Sequence, residues 1–236
     1  MGSMSMINIL IYNEVVDQME FFMRDLNDPM PYITGGTLTV GEFRAKSNSN
    51  IIWTTVGTME AWNATRAAWG NPIYVGYAFR RIGEGGHSNQ SQHYAGTAFD
   101  AAQNLEPADR DRLRNLADSL GVWTYVEPTN LTPTWIHFDA RYGTPACSAG
   151  YPMLSEGSRG VYVATLQDAL GTAGIPSVGI DGLFGANTRW AVMQFQAENN
   201  LSADGIVGCS TWQSLTAQTN GFYKNNNTVP PEYSNE

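Results

Sequence analysis

Residues 85–100, Gly85-Gly86-His87-Ser88-Asn89-Gln90-Ser91-Gln92-His93-Tyr94-Ala95-Gly96-Thr97-Ala98-Phe99-Asp100, carry two of the chain's three histidines and end on a carboxylate. Thr97 to Ala101 reads as a short strand. Gly96 supplies a turn before it, so that His93 and Asp100 come back to one point. The third histidine lies in a second strand-like run, Trp135-Ile136-His137-Phe138-Asp139. A lone histidine in an apolar strand is more often a hydrogen-bonded core residue than a ligand. Three polar side chains among β-forming residues are harder to dismiss, because each is costly to desolvate unless something satisfies it. A divalent zinc meets that cost, since two neutral imidazoles and one carboxylate suit it and leave a fourth tetrahedral position for water.

Working outward, Ile73 to Tyr77 and Val122 to Val126 also read as strands. Met59, Trp62, Arg66 and Trp69 recur at helical spacing, as do Leu113, Leu116, Ala117 and Leu120 in the run from Pro107 that stops at Gly121. Helices before and between a few antiparallel strands give an α+β fold. Met6 to Pro31, with Met19, Phe21, Phe22 and Met23 close together, is expected to pack on this domain as an extra helix.

Downstream, Tyr142 to Gly150 is a run of small and turn-forming residues that reads as a linker. Beyond it the chain echoes itself: Asp181-Gly182-Leu183-Phe184-Gly185-Ala186-Asn187-Thr188 and Asp204-Gly205-Ile206-Val207-Gly208-Cys209-Ser210-Thr211 share one pattern. Each copy reads as a tight turn feeding a helix. With Val163, Leu166 and Leu170 on an earlier helical stripe, the region is a small three-helix module. Asn220 to Glu236 loses apolar periodicity and reads as a mobile tail.

Two resemblances attach to these motifs. Leu154, residues 157–160, Val163, Leu166-Gln167, Leu170, the two Asp-Gly turns, Ala191-Val192, Phe195-Gln196, Leu201 and Thr211-Trp212 resemble the peptidoglycan-binding domain family. Ser91-x-His93-x-x-Gly96-x-Ala98-x-Asp100, followed by Trp-x-His-x-Asp at 135–139, resembles the M15 zinc peptidases, which are D-alanyl-D-alanine carboxypeptidases and related endopeptidases. The layout of Leu38 to Arg44 and Pro72 to Tyr77 extends that second likeness over about residues 36 to 142. It implies His93, Asp100 and His137 as the zinc ligands.

The chain departs from that family in two places. Where an arginine for the substrate carboxylate is expected directly after Gly76-Tyr77, the order is Ala78-Phe79-Arg80-Arg81, and Arg80 is the expected replacement ahead of Arg81. Thr134 occupies the place of the usual general base, and threonine cannot take the proton. Asp139, on the same strand face as His137, is the favoured substitute and Glu127 the reserve. Asp139 has a competing role, accepting the free N–H of a ligand imidazole. Ser91 is expected to orient a ligand or contact substrate, and His87 to be an exposed loop residue.

The implied architecture is an extension over 1–35, an α+β zinc peptidase domain with a small antiparallel sheet over 36–145, a linker over 146–150, an all-α three-helix peptidoglycan-binding domain over 151–217 and a flexible tail over 218–236. The implied function is hydrolysis of peptidoglycan stem peptides at or near D-alanine, with a catalytically silent zinc-containing wall-binding protein as the alternative. An amidase using the same modules also stays open, while a glycosidase would leave the histidines unexplained.

Composition is that of a folded globular protein: the chain has 236 residues, 42% hydrophobic and 15% charged, with net charge −9. The acidic excess falls on both halves, so neither offers the basic face that nucleic acid requires. No run approaches a membrane span. Met1 to Tyr12 lacks the basic start of a signal peptide, and Met1-Gly2-Ser3-Met4 reads as a cloning scar. The protein is expected to be a monomer, secreted or wall-associated, or cytoplasmic until lysis if phage-derived. Cys147 and Cys209 are too few for a thiolate zinc cage, and buried thiols and a disulfide are both open readings.

Overall fold

Isoleucines alternate at the start of the chain and set the first sheet. Residues 6–175 and 179–228 are described in the computed structural model. Strand β1 (Ile7–Asn13) buries Ile7, Ile9 and Ile11 and pairs antiparallel with β2 (Gln18–Arg24), in register from Ile7↔Arg24 to Asn13↔Gln18. On its other side β1 pairs parallel with β3 (Ile51–Thr55). The segment expected as a helix is therefore a hairpin. A period of two with β-branched side chains suits a pleated, half-buried surface, and Met19 and Phe22 of the outer strand lean on the core without needing helical spacing.

Helix α1 (Val40–Arg44) opens with a capping box between Thr39 and Glu42. Helix α2 (Val56–Trp69) starts at Thr55, whose hydroxyl accepts the Thr58 N–H, and ends at Gly70 with φ 73°. It buries Met59 and Trp62 against the sheets.

The second sheet is antiparallel throughout, in the order β4 (Val75–Tyr77), β5 (Ala98–Ala101), β7 (Ile136–Asp139), β6 (Tyr125–Val126). Helix α3 (Pro107–Ser119) presents two buried arginines to the loop before β7. Arg110 Nη1 donates to the Pro133 carbonyl at 2.7 Å, and Arg114 Nη2 donates to the carbonyls of Thr132 and Trp135, both at 2.8 Å. These bonds satisfy a loop whose carbonyls have no sheet partner and fix its shape.

Helices α4 (Val161–Thr172), α5 (Ala186–Glu198) and α6 (Cys209–Thr219) form the downstream region. The internal echo has a physical cause. In the first copy, Gln167 Nε2 donates to Asp181 Oδ1, the Leu183 carbonyl and Thr188 Oγ1, while its Oε1 accepts the Asp181 and Gly182 N–H groups. In the second, Gln196 Nε2 donates to Asp204 Oδ1, the Ile206 carbonyl and Thr211 Oγ1, and its Oε1 accepts the Gly205 N–H. One buried glutamine per turn thus satisfies the backbone that the glycines free.

The two regions meet on a shared core. Arg81 and Asp168, both buried, form an ion pair in which Arg81 Nε lies 2.8 Å from Asp168 Oδ1. Tyr162 donates to Gln92 Oε1 at 2.9 Å, and Thr165 donates to the Tyr94 carbonyl at 3.0 Å. Cys147 and Cys209 are disulfide-bonded, and Pro145 and Pro152 bridge the ends of the segment expected as a linker. Residues 146–150 are thus pinned to the helical region.

The tail expected from residue 218 also differs as far as residue 228. Helix α6 runs on to Thr219, and α7 (Phe222–Asn225) follows, with Tyr223 buried. Gly83 makes room for it: a Cβ there would lie 2.3 Å from the Tyr223 ring. Aromatic burial outweighs the local run of asparagines. Residues 229–236 lie outside the described ones.

Candidate metal centre

The antiparallel register of the second sheet builds most of the centre. Tyr77 pairs with Asp100 and Asp100 with His137, and one step beyond β6 the Glu127 N–H donates to the His137 carbonyl at 2.8 Å. Cross-strand partners leave the same face of a sheet, so Asp100, His137 and Glu127 stand in one row. All three line a cleft of about 480 Å³, together with Ser91, His93 and Arg141.

His93 reaches the row from the turn before β5. Gly96 has φ +69°, and a Cβ there would lie 1.8 Å from the Trp53 carbonyl oxygen, so only glycine fits. Thr54 Oγ1 donates to the Gly96 carbonyl at 2.7 Å, and Trp53 Nε1 donates to the Tyr94 carbonyl at 2.9 Å. Ser91 Oγ accepts the His93 N–H at 3.3 Å, which gives Ser91 an orienting contact as well as a place in the cleft wall.

Side-chain geometry converges on one oxygen. Asp100 Oδ1 lies 2.8 Å from His137 Nδ1 and 3.2 Å from His93 Nε2. His93 Nδ1 lies 2.7 Å from the Ala78 carbonyl, which accepts only if that nitrogen carries the proton. Its Nε2 then offers a lone pair, and this atom is buried with no hydrogen-bond partner. A fixed tautomer with its free nitrogen orphaned beside a carboxylate is the arrangement a bound cation satisfies, and two imidazoles with one carboxylate suit zinc.

Burial alone would raise Asp100, but the bond from His137 Nδ1 and the nearness of His93 prevail and hold it well below the usual carboxylate range. Burial likewise opposes charge on His137, yet Asp100 and Asp139 on its two nitrogens push it up to about 9.

Two residues expected at the site stand outside the cleft lining. Asp139 is fully buried and does not line the cleft. Its oxygens are taken by Arg141, with Nε at 2.7 Å, and by His137 Nε2 at 3.3 Å. Against the pull of burial, Arg141 and His137 hold Asp139 below its ordinary value. That geometry places Asp139 against the His137 ring, as the expected contact with a ligand imidazole requires. Arg80 does not face the cleft either: its guanidinium donates to the carbonyls of Glu84 and Gly85, both at 3.2 Å, and steadies the loop ahead of His87.

Two residues were missed or misjudged. Among the described residues Arg141 is the one arginine or lysine lining the cleft, and its place two residues after Asp139 was the available signal. His87, expected to be exposed, is half-buried and stacks on His93 with ring centroids 4.1 Å apart. Burial, with His93 beside it, pushes His87 down to about 3.

Comparison with known proteins bears on the helical region. Residues 159–215 match the family model described as "Putative peptidoglycan binding domain". The zinc D-Ala-D-Ala carboxypeptidase of Streptomyces albus G is 46% identical over 66 residues, covering 26% of this chain and 25% of that protein. A probable N-acetylmuramoyl-L-alanine amidase of Bacillus licheniformis is 40% identical over 67 residues, or 28% of this chain and 19% of the relative. The crystal structure of the Burkholderia AP3 phage endolysin is 48% identical over 28% of this chain and 25% of its own, with a TM-score of 0.28. The matches fall in the helical region, and the chain spans a quarter or less of each of these three proteins. Among the described residues no helix is long and apolar enough to cross a membrane. The chain is thus of mixed α and β structure, with a helical region similar to the peptidoglycan binding family.

Proposed function

We propose that this protein is a zinc-dependent peptidase of bacterial peptidoglycan, cutting the stem peptide at or near D-alanine, with residues 36–145 as the catalytic part and 151–217 holding it to the wall. The observation that carries this reading is the orphaned, buried Nε2 of His93 beside Asp100 and His137 in an open cleft. His93, Asp100 and His137 are the residues that would hold the ion. Zinc, when bound, polarises a carbonyl and lowers the pKa of a water toward ~7.

The chain's own groups do the rest. The Ala78 carbonyl and Asp139 hold the two imidazoles in fixed orientations. Glu127, in the row and facing the cleft, takes the proton from the attacking water and returns it to the leaving amine. Arg141, with its charge on the cleft wall, receives an anionic group of the peptide in the role expected of Arg80. The helical region raises the local concentration of insoluble substrate without altering the chemistry.

Purified peptidoglycan incubated with the protein, with and without a chelator, tests the reading by mass spectrometry of the released fragments. Chelator-sensitive release of D-alanine or new peptide amino termini is expected. Cleavage between muramic acid and L-alanine would make it an amidase, and binding without release would make it a wall-binding protein only.

A further inference from the structure

The three residues assigned to the ion leave His87 unexplained. Its ring lies against that of His93, with an interplanar angle of 23°. One ligand atom each from His87, His93 and Asp100 fall within 4.8 Å of one another. Nε2 of His87, like that of His93, is buried with no hydrogen-bond partner. Two stacked imidazoles with orphaned nitrogens at one spot cannot satisfy each other, and a buried polar atom left unpaired is costly.

The loop bearing His87 is held from outside the sheet. Asn220, at the end of α6, donates from Nδ2 to the His87 carbonyl and to Asn89 Oδ1, both at 2.9 Å, and accepts the Tyr94 hydroxyl at 2.7 Å. The His87 N–H donates to Tyr94 Oη at 3.2 Å. Just upstream, Gly85 and Gly86 both have positive φ, and a Cβ on Gly85 would lie 2.7 Å from the Gly221 Cα. Two adjoining glycines make a ready hinge, and the corner at Asn220 and Gly221 closes over it.

We propose that His87 is a fourth protein ligand to the ion held by His93, Asp100 and His137, and that Asn220 latches it there. The described fold is then a capped centre. Substrate gains the fourth position when the His87 loop turns away on Gly85-Gly86, and the helical region controls that release through Asn220. The inference rests on the zinc reading above and adds to it how the site is regulated.

X-ray absorption of the full chain loaded with zinc alone counts the imidazoles on the metal. Three are expected in the wild type and two in His87→Asn, with the zinc Kd raised by about tenfold or more. Asn220→Ala leaves every ligand in place and is expected to weaken zinc binding in the same direction. Two imidazoles in both wild type and His87→Asn overturn the His87 assignment while leaving the peptidase reading intact. Unchanged affinity in Asn220→Ala overturns the latch. Failure of the wild type to bind zinc overturns the zinc reading itself, and this proposal with it.

Discussion

Glu127 stands directly across from His137, its N–H on the His137 carbonyl at 2.8 Å, so the carboxylate and the imidazole leave one face of the sheet into one cleft. Asp139, two residues along from His137, is instead sealed under Arg141. The two acids therefore separate on substitution. Glu127→Gln keeps its zinc and loses roughly 10²- to 10⁴-fold in turnover, the usual scale of general-base loss. Asp139→Asn loses roughly 10- to 100-fold in zinc affinity and recovers turnover at saturating zinc. Metal titration beside kcat distinguishes them, and the reverse pattern would return the base to Asp139.

Asp168 is buried opposite Arg81 and also accepts the Ile82 N–H at 3.3 Å. Asp168→Ala removes the carboxylate that Arg81 Nε bonds, and breaking a buried pair from one side costs about 3–5 kcal/mol. The double replacement Arg81→Met with Asp168→Leu comes much closer to wild type. Urea unfolding of both variants checks this, and a loss below about 1 kcal/mol in the single variant would show that the joint does not depend on the pair.

The Cys147–Cys209 bond closes a loop of sequence separation 62. In the chain-entropy model its removal costs about 4 kcal/mol. Cys147→Ser with Cys209→Ser is expected to lower the denaturant midpoint, with m rising as the unfolded chain expands. An unchanged midpoint would mean that the bond adds no stability to a seam already fixed by Arg81 and Asp168.

Tyr142, Tyr151 and Tyr162 lie at the junction, where burial raises all three above the ordinary 10.0; neighbouring tyrosines add to this for Tyr142 and Tyr151, while for Tyr162 burial prevails over the lowering bond from the Tyr142 N–H. A phenol whose folded pKa is raised adds stability that is complete below the unfolded value and is lost as pH climbs toward the folded one. Stability should therefore hold up to about pH 10 and fall above it. Phenolate absorbance should show a late-titrating class that ionises only with unfolding. Full titration of every tyrosine near pH 10 in a folded chain would contradict the packing.

What the sequence disclosed and what it hid follow from the reach of the contacts. The His93–Asp100 turn and the 135–139 strand were legible because Gly96 and strand alternation act within a few residues. The Asp-Gly repeats were legible because each glutamine network closes nearby: Gln196 to Thr211 spans 15 residues. The β1–β3 sheet was not legible, since a short apolar run looks alike in helix and strand until its partner is known. The sealing of Asp139 was not legible, because alternation gives the face but not the guanidinium that claims it. His87 was hidden more completely: its loop has no periodicity, and its burial depends on Asn220, 133 residues away. Tyr223 docking on Gly83 was invisible for the same reason, distance along the chain outrunning local pattern.

Zinc stoichiometry by elemental analysis, on the full chain and on His93→Ala after zinc loading and dialysis, tests the central claim most directly. One zinc per wild-type chain and none in the variant is the predicted result. A wild-type chain that retains no zinc, or a variant that retains as much as the wild type, would contradict it.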